Sequence, residues 1–265
     1  MNPEIMQNQL KHITVGDKAN SRSIAVLARK GREPGIVWLG GYRSDMAGTK
    51  AEALDQWCGE HGIACCRHDY SGHGSSGGEF RDGTISRWLE ESLAVFDAFT
   101  SGPQILVGSS MGGWIALRMA QELQKRGIGG RLGGMLLIAP APDFTHELMW
   151  PQLSDAQKRE ITDKGYLEEV SQYSNEPNIY TRALFDDGAN NLVLDGMIDP
   201  GCPVHILQGM ADPDVPWQHA MRLAEHLPQA QVAMTLVKDG DHRLSRAEDI
   251  ALMLRLIENM AGAAR

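Results

Sequence analysis

Ser110 stands in Gly108-Ser109-Ser110-Met111-Gly112, directly after the apolar run QILV at 104–107 and directly before the helix-like stretch GWIALRMAQEL. Glycines two residues to either side of a serine suit a sharp strand-to-helix turn, because the missing side chains let strand and helix approach each other. The serine is left at the apex, beside a helix N-terminus whose N–H groups stabilise negative charge developing on a carbonyl oxygen. That is the chemistry of a nucleophile in acyl transfer. The same spacing recurs at Gly74-Ser75-Ser76-Gly77-Gly78. There no apolar strand precedes it and no helix follows, so this second copy reads as a flexible glycine turn beside the site.

A serine hydroxyl becomes nucleophilic only beside a base, and the base needs an acid to orient it. In elbow folds the order along the chain is serine, acid, histidine, each in a loop after a later strand. The loop after VHILQ holds Asp212 and Asp214. Asp212 is preferred, since it sits at the strand's carboxyl end, while Val215-Pro216 leads into the next helix and leaves Asp214 on the outer side. After VAMTLV comes Lys238-Asp239-Gly240-Asp241-His242. Of nine histidines, His242 is the one placed between the last strand and the final helix. Two donors are needed for the oxyanion: the N–H of Met111, next to the nucleophile, and that of Tyr42 in Gly40-Gly41-Tyr42. His68, Asp69 and His73 lack a zinc-type arrangement, so no metal is expected and no cofactor is implied.

The elements that must hold these residues alternate. Strand-like runs at 23–29, 36–39, 63–67, 104–107 and 135–139 are separated by helix-like stretches at 49–61, 85–100 and 112–125. The rhythm breaks from 143 to about 196, a polar segment interrupted by Pro151 and Pro177 with no clear strand. It resumes with a strand at 204–208, a helix at 217–226, a strand at 232–237 and a last helix opened by the capping box Ser245-x-x-Glu248. Alternation with continuous apolar strands predicts an α/β fold, a mostly parallel sheet with helices on both faces. The expected organisation is one domain over 1–265 with residues 143–196 inserted as a cap.

With 25 Lys+Arg against 34 Asp+Glu in 265 residues, the formal net charge is −9, which offers no footprint for nucleic acid. No apolar run approaches the roughly 20 residues of a membrane span. Cys58, Cys65, Cys66 and Cys202 form no CxxC pair, and the adjacent two read as buried strand positions. The first residues show neither a basic nor an apolar leader region, so the expected location is cytoplasmic.

Together, GYRSDMAGTKA (41–51), RHDYSGHGSSGG (67–78), GPQILVGSSMGGW (102–114), GMADPDVPW (209–217) and DHR (241–243) resemble the α/β-hydrolase superfamily, over nearly the whole chain. Within it the likeness is to hydrolases of acyl esters and acyl thioesters. The resemblance implies an α/β-hydrolase fold, a triad of Ser110, Asp212 and His242, oxyanion donors at Tyr42 and Met111, and a small-molecule or acylated-protein substrate. Phe144, Leu148, Met149, Trp150, Leu184, Phe185 and Leu192 either line an acyl pocket or seal the cap onto the body. Two rival functions remain: a peptidase that uses Glu168, Glu169, Asp186 or Asp187 to hold an α-amine, and a non-catalytic ligand-binding protein on the same scaffold.

Overall fold

Apolar, β-branched runs supply the strands, and each is followed by an amphipathic stretch that covers it. The computed structural model describes residues 9–170, 177–228 and 232–263. Its strands are β1 (Lys11–Val15), β2 (Arg22–Arg29), β3 (Arg32–Leu39), β4 (Ile63–His68), β5 (Gln104–Ser109), β6 (Leu132–Ile138), β7 (Tyr166–Glu169), β8 (Asn178–Thr181), β9 (Val204–Gly209) and β10 (Val232–Val237). The α-helices are α1 (Thr49–His61), α2 (Ile85–Phe99), α3 (Met111–Lys125), α4 (Asp155–Lys164), α5 (Arg182–Ala189), α6 (Trp217–Glu225) and α7 (Ala247–Ala263).

Eight strands form one sheet in the order β1-β2-β4-β3-β5-β6-β9-β10. Only the β1–β2 and β2–β4 pairings are antiparallel; the rest of the sheet is parallel. The α/β expectation holds. Successive residues of β3 feed opposite faces: Val37 and Leu39 pack with residues of α2, α3 and α6, and Ile36 and Trp38 with those of α1 and α7. Cys65 and Cys66 divide between the faces in the same way, and all four cysteines are free and buried. Register aligns the strand ends that matter. Leu39 is opposite Gly108, Ser109 opposite Ile138, Ile138 opposite Leu207, and Gly209 opposite Val237. The loops leaving β3, β5, β9 and β10 therefore emerge along one edge, where their side chains can meet.

Between β6 and β9 the structure departs from expectation. Residues 166–181 contain a strand pair, β7 and β8, antiparallel with Tyr166 opposite Thr181. The runs YLEE and NIYT are too short and polar to announce themselves. Before them, Ser154 and Gln157 form a reciprocal capping box at the start of α4. Asp143 ties the ends of this segment together, accepting the N–H groups of Val193 and Leu194 at 2.8–3.0 Å. Phe144 and Leu184 are buried in the body's core, whereas Phe185 packs with Leu153, Ile161 and Leu167 in a small core of the segment's own. Leu148 joins the body core as a partly buried residue, and Met149 touches both clusters. Trp150 joins the small core and Leu192 is half-buried.

The start of α7 also differs. Ser245 Oγ donates to the Arg243 carbonyl, and it is Asp249, not Glu248, whose carboxylate reaches back to accept the Arg246 N–H at 3.1 Å. The helix begins one residue later than the sequence box places it, because the serine hydroxyl is engaged with the preceding turn.

Candidate active site

The turn after β5 is built by contact, not by choice of a flexible residue. A Cβ on Gly108 would sit 2.4 Å from the Gly112 carbonyl oxygen, and one on Gly112 would sit 2.1 Å from that of Leu39. Ser110 is held between them at φ 54°, ψ −120°, a backbone state that L-residues adopt only when their surroundings enforce it. The enforcement is visible: its N–H donates to the Ile138 carbonyl at 2.9 Å, and its own carbonyl accepts from Gly113 and Ala141. Met111 opens α3, so its N–H has no partner within the helix. The loop after β3 passes close by, with a Cβ on Gly41 only 3.3 Å from that of Ser110.

His242 reaches this turn from the loop after β10. Its Nε2 lies 3.0 Å from Ser110 Oγ and its Nδ1 lies 2.8 Å from Asp212 Oδ2. A carboxylate only accepts, so Nδ1 carries the proton and Nε2 is free to accept the serine hydroxyl. Asp212 is fixed in turn. Its Oδ1 accepts the N–H groups of Asp214 and Val215, both at 2.9 Å, and its Oδ2 accepts Gln208 Nε2 at 3.2 Å. Asp214 stays exposed. Asp212, Asp214 and His242 bring potential ligand atoms within 4.8 Å of one another. The oxygens of Asp212 are already occupied by these donors, so the set is organised for hydrogen bonding.

Several contributors escaped the sequence. Gln208, near the carboxyl end of β9, is fully buried and grips Asp212 as well as the carbonyls of Gly209 and Val215. The glycine-rich turn at 74–78 wraps around Asp69, whose carboxylate accepts Met46 N–H at 2.6 Å and Ser75 N–H at 2.7 Å. His73 accepts the Arg43 N–H through Nε2 at 3.1 Å. The residues 67–78 therefore hold the loop 41–46 against Ser110. Gln208 at a buried strand end and Arg43 at φ 56° are the signals, and both need coordinates to be read.

Tyr42 carries the link to the inserted segment. Its ring stacks on Tyr180 with centroids 5.3 Å apart, its hydroxyl donates to the Ile179 carbonyl, and burial pushes its phenol well above the ordinary range. A cavity of about 260 Å³ opens beside Ser110 and His242. Its walls are the loop after β3, the first turn of α1 and the residues following His242.

A family model described as the alpha/beta hydrolase family matches residues 39–251, which include every one of these loops. This chain belongs to the alpha/beta hydrolase family. Among alpha/beta hydrolases, it is 35% identical over 240 residues to the mitochondrial palmitoyl-protein thioesterase ABHD10 of Pongo abelii, covering 90% of this chain and 76% of that protein. The human protein of that name matches at the same identity and coverage. A solved structure from Agrobacterium vitis S4 superposes with a TM-score of 0.93 at 59% identity, covering 96% of this chain and 99% of that one. The mouse alpha/beta hydrolase domain-containing protein 10 superposes with a TM-score of 0.85 at 31% identity, covering 97% and 100%.

These relatives overturn the expected cytoplasmic location, because the curated ones are named as mitochondrial proteins. Buried free thiols and a net charge of −9 are compatible with either aqueous compartment, so they could not discriminate between them. Among the described residues, no helix is long and apolar enough to cross a membrane.

Proposed function

We propose that this hydrolase is a serine esterase that cleaves carboxylic esters or acyl thioesters through an acyl-enzyme, with Ser110 as nucleophile, His242 as base and Asp212 as orienting acid. The observation that carries this reading is the continuous hydrogen-bonded line from Asp212 through His242 to Ser110, ending at a strained turn. His242 Nε2 takes the hydroxyl proton as Oγ attacks the acyl carbon, and Asp212 stabilises the imidazolium that results. The carbonyl oxygen, now an oxyanion, is held by the N–H groups of Tyr42 and Met111. His242 then protonates the leaving group as the carbon–heteroatom bond breaks, and afterwards activates the water that releases the acid. The reading takes the chain as one domain, with 143–196 as its cap.

The relatives named palmitoyl-protein thioesterase favour an acyl ester or thioester as substrate, small or carried on a protein. Nothing in the geometry favours a peptidase. Glu168 pairs with Arg81, Glu169 accepts from Gln157, Asp186 pairs with Arg182, and Asp187 accepts from Ser86 and Asn191. A receptor would not require a histidine and an acid aligned on an elbow serine. The test is a chain-length series of acyl esters and matched thioesters. Ser110→Ala should lower turnover by at least about 10⁴-fold with the melting temperature retained. Turnover surviving in the alanine variant would remove Ser110 from the mechanism.

A further inference from the structure

The cavity beside Ser110 is cationic in a chain whose net charge is −9. Three cations, Arg43, Lys50 and Arg243, line it, and among the described residues no aspartate or glutamate does. Lys50 rises from the first turn of α1, where its ammonium donates to the Arg243 carbonyl and, at 3.3 Å, to Ser245 Oγ. Both partners are neutral. Burial first, and then the neighbouring Arg243, lower this ammonium to about 8 against the opposing pull of Asp241 and Asp249, neither of which lines the cavity.

Two further features converge on the same space. Gly48, Thr49 and Lys50 form its wall at the N-terminus of the 13-residue helix α1, where no side chain caps the free N–H groups. Independently, Trp38 lines the cavity while only 3% exposed, and its indole N–H has no hydrogen-bond partner among the described residues. Buried donors of this kind are normally satisfied. The Lys50 ammonium, the first N–H groups of α1 and the Trp38 indole are all donors, so the partner that suits them together is an acceptor with negative charge.

We propose that this cavity is a leaving-group subsite for an anion, carboxylate or phosphate, gripped by Lys50, the start of α1 and the Trp38 indole. It rests on the assignment of Ser110 and His242 above, since the group beside His242 is the one that His242 protonates on departure. At about 260 Å³ the cavity holds one part of a substrate, below the roughly 300–1,000 Å³ of pockets that enclose a whole ligand. The acyl chain then leaves the site by another side.

Two matched pairs test this, each differing only in the anion: phenyl butyrate against 3-carboxyphenyl butyrate, and S-butyryl-pantetheine against S-butyryl-4′-phosphopantetheine. The wild-type enzyme should favour the anionic member of at least one pair by about tenfold in kcat/KM. Which pair responds tells carboxylate from phosphate. In Lys50→Met the ratio within the pair should collapse toward one, and in Lys50→Arg it should be largely restored. Ratios near one in both pairs, or a preference that survives Lys50→Met, would overturn the subsite. Binding of 3-hydroxybenzoate, phenol, 4′-phosphopantetheine and pantetheine to the Ser110→Ala protein, by calorimetry, separates the two readings because it needs no turnover. Tighter binding of one anion than its neutral match, lost in Ser110→Ala/Lys50→Met, would uphold the subsite even if acyl transfer failed. Equal binding within both matches would reject it even if Ser110 proved catalytic.

Discussion

In the proposed triad Asp212 has no direct contact with the Ser110 hydroxyl, and its influence passes through the imidazole. Its Oδ2 holds the Nδ1 proton of His242 in place, while two backbone N–H groups and Gln208 saturate its remaining capacity. Asp212→Asn keeps the shape but presents an amide that can place its own N–H against Nδ1, selecting the tautomer in which Nε2 bears the proton and cannot accept another. On a short acyl ester, kcat should fall by about 10⁴-fold with little change in KM. Steady-state kinetics checks this, and a large rise in KM with kcat retained would point to substrate binding instead. The candidates Ser110, Asp212 and His242, which the structure brings within hydrogen-bond reach of one another, were legible in the sequence because each lies in a loop that immediately follows an apolar strand. Gln208 and His73 could not. Their roles depend on which backbone groups the folded loops bring to them, and a buried glutamine ending a strand has no distinctive spacing.

At the scale of elements, the same loop that supplies the Tyr42 N–H is clamped by the inserted segment. The Tyr42 ring packs against Phe80, Trp88, Phe144 and Tyr180, with centroids 5.0–6.0 Å apart, and its hydroxyl satisfies the Ile179 carbonyl at the start of the β8 strand. Tyr42→Phe retains the ring contacts and leaves that carbonyl without its donor. A buried hydrogen bond lost this way costs about 1 kcal/mol, equivalent to about 2–4 °C in melting temperature for a chain of this size. Calorimetry should record that fall, with faster amide exchange confined to 178–181. An unchanged melting temperature would mean that the hydroxyl contributes nothing to holding the segment. The parallel sheet was legible because its strands are continuous apolar runs and its helices have regular apolar faces. Strand β1, with its exposed Lys11 and His12, and the β7–β8 pair were not, because an edge strand or a two-stranded ribbon buries too little to impose a pattern.

Across the whole molecule, buried histidines weaken the fold toward acid, and His68 and His73 carry the largest shifts. His68 Nε2 donates to Ser92 Oγ, whose own proton goes to the Trp88 carbonyl, so its Nδ1 is unprotonated and has no partner among the described residues. His73 donates from Nδ1 to the Ser71 carbonyl and accepts the Arg43 N–H at Nε2. Each ring is neutral by its hydrogen bonds, and burial lowers both to about 4 from the ordinary value of 6.5. Between those limits each of these two imidazoles binds more protons in the unfolded chain than in the folded one, so its contribution to stability rises with pH across the window and is lost as pH falls from about 6.5 toward 4. Each histidine can contribute up to about 3 kcal/mol of that loss, a large share of the roughly 5–15 kcal/mol that holds a typical domain together. The urea midpoint should therefore be lower at pH 5.0 than at pH 7.5, and the difference should shrink in His68→Gln, which cannot titrate. Protonation of His73 would also release Arg43, so ester turnover should decline on the acid side together with stability. A midpoint independent of pH across this range would show that neither imidazole is held neutral by the fold.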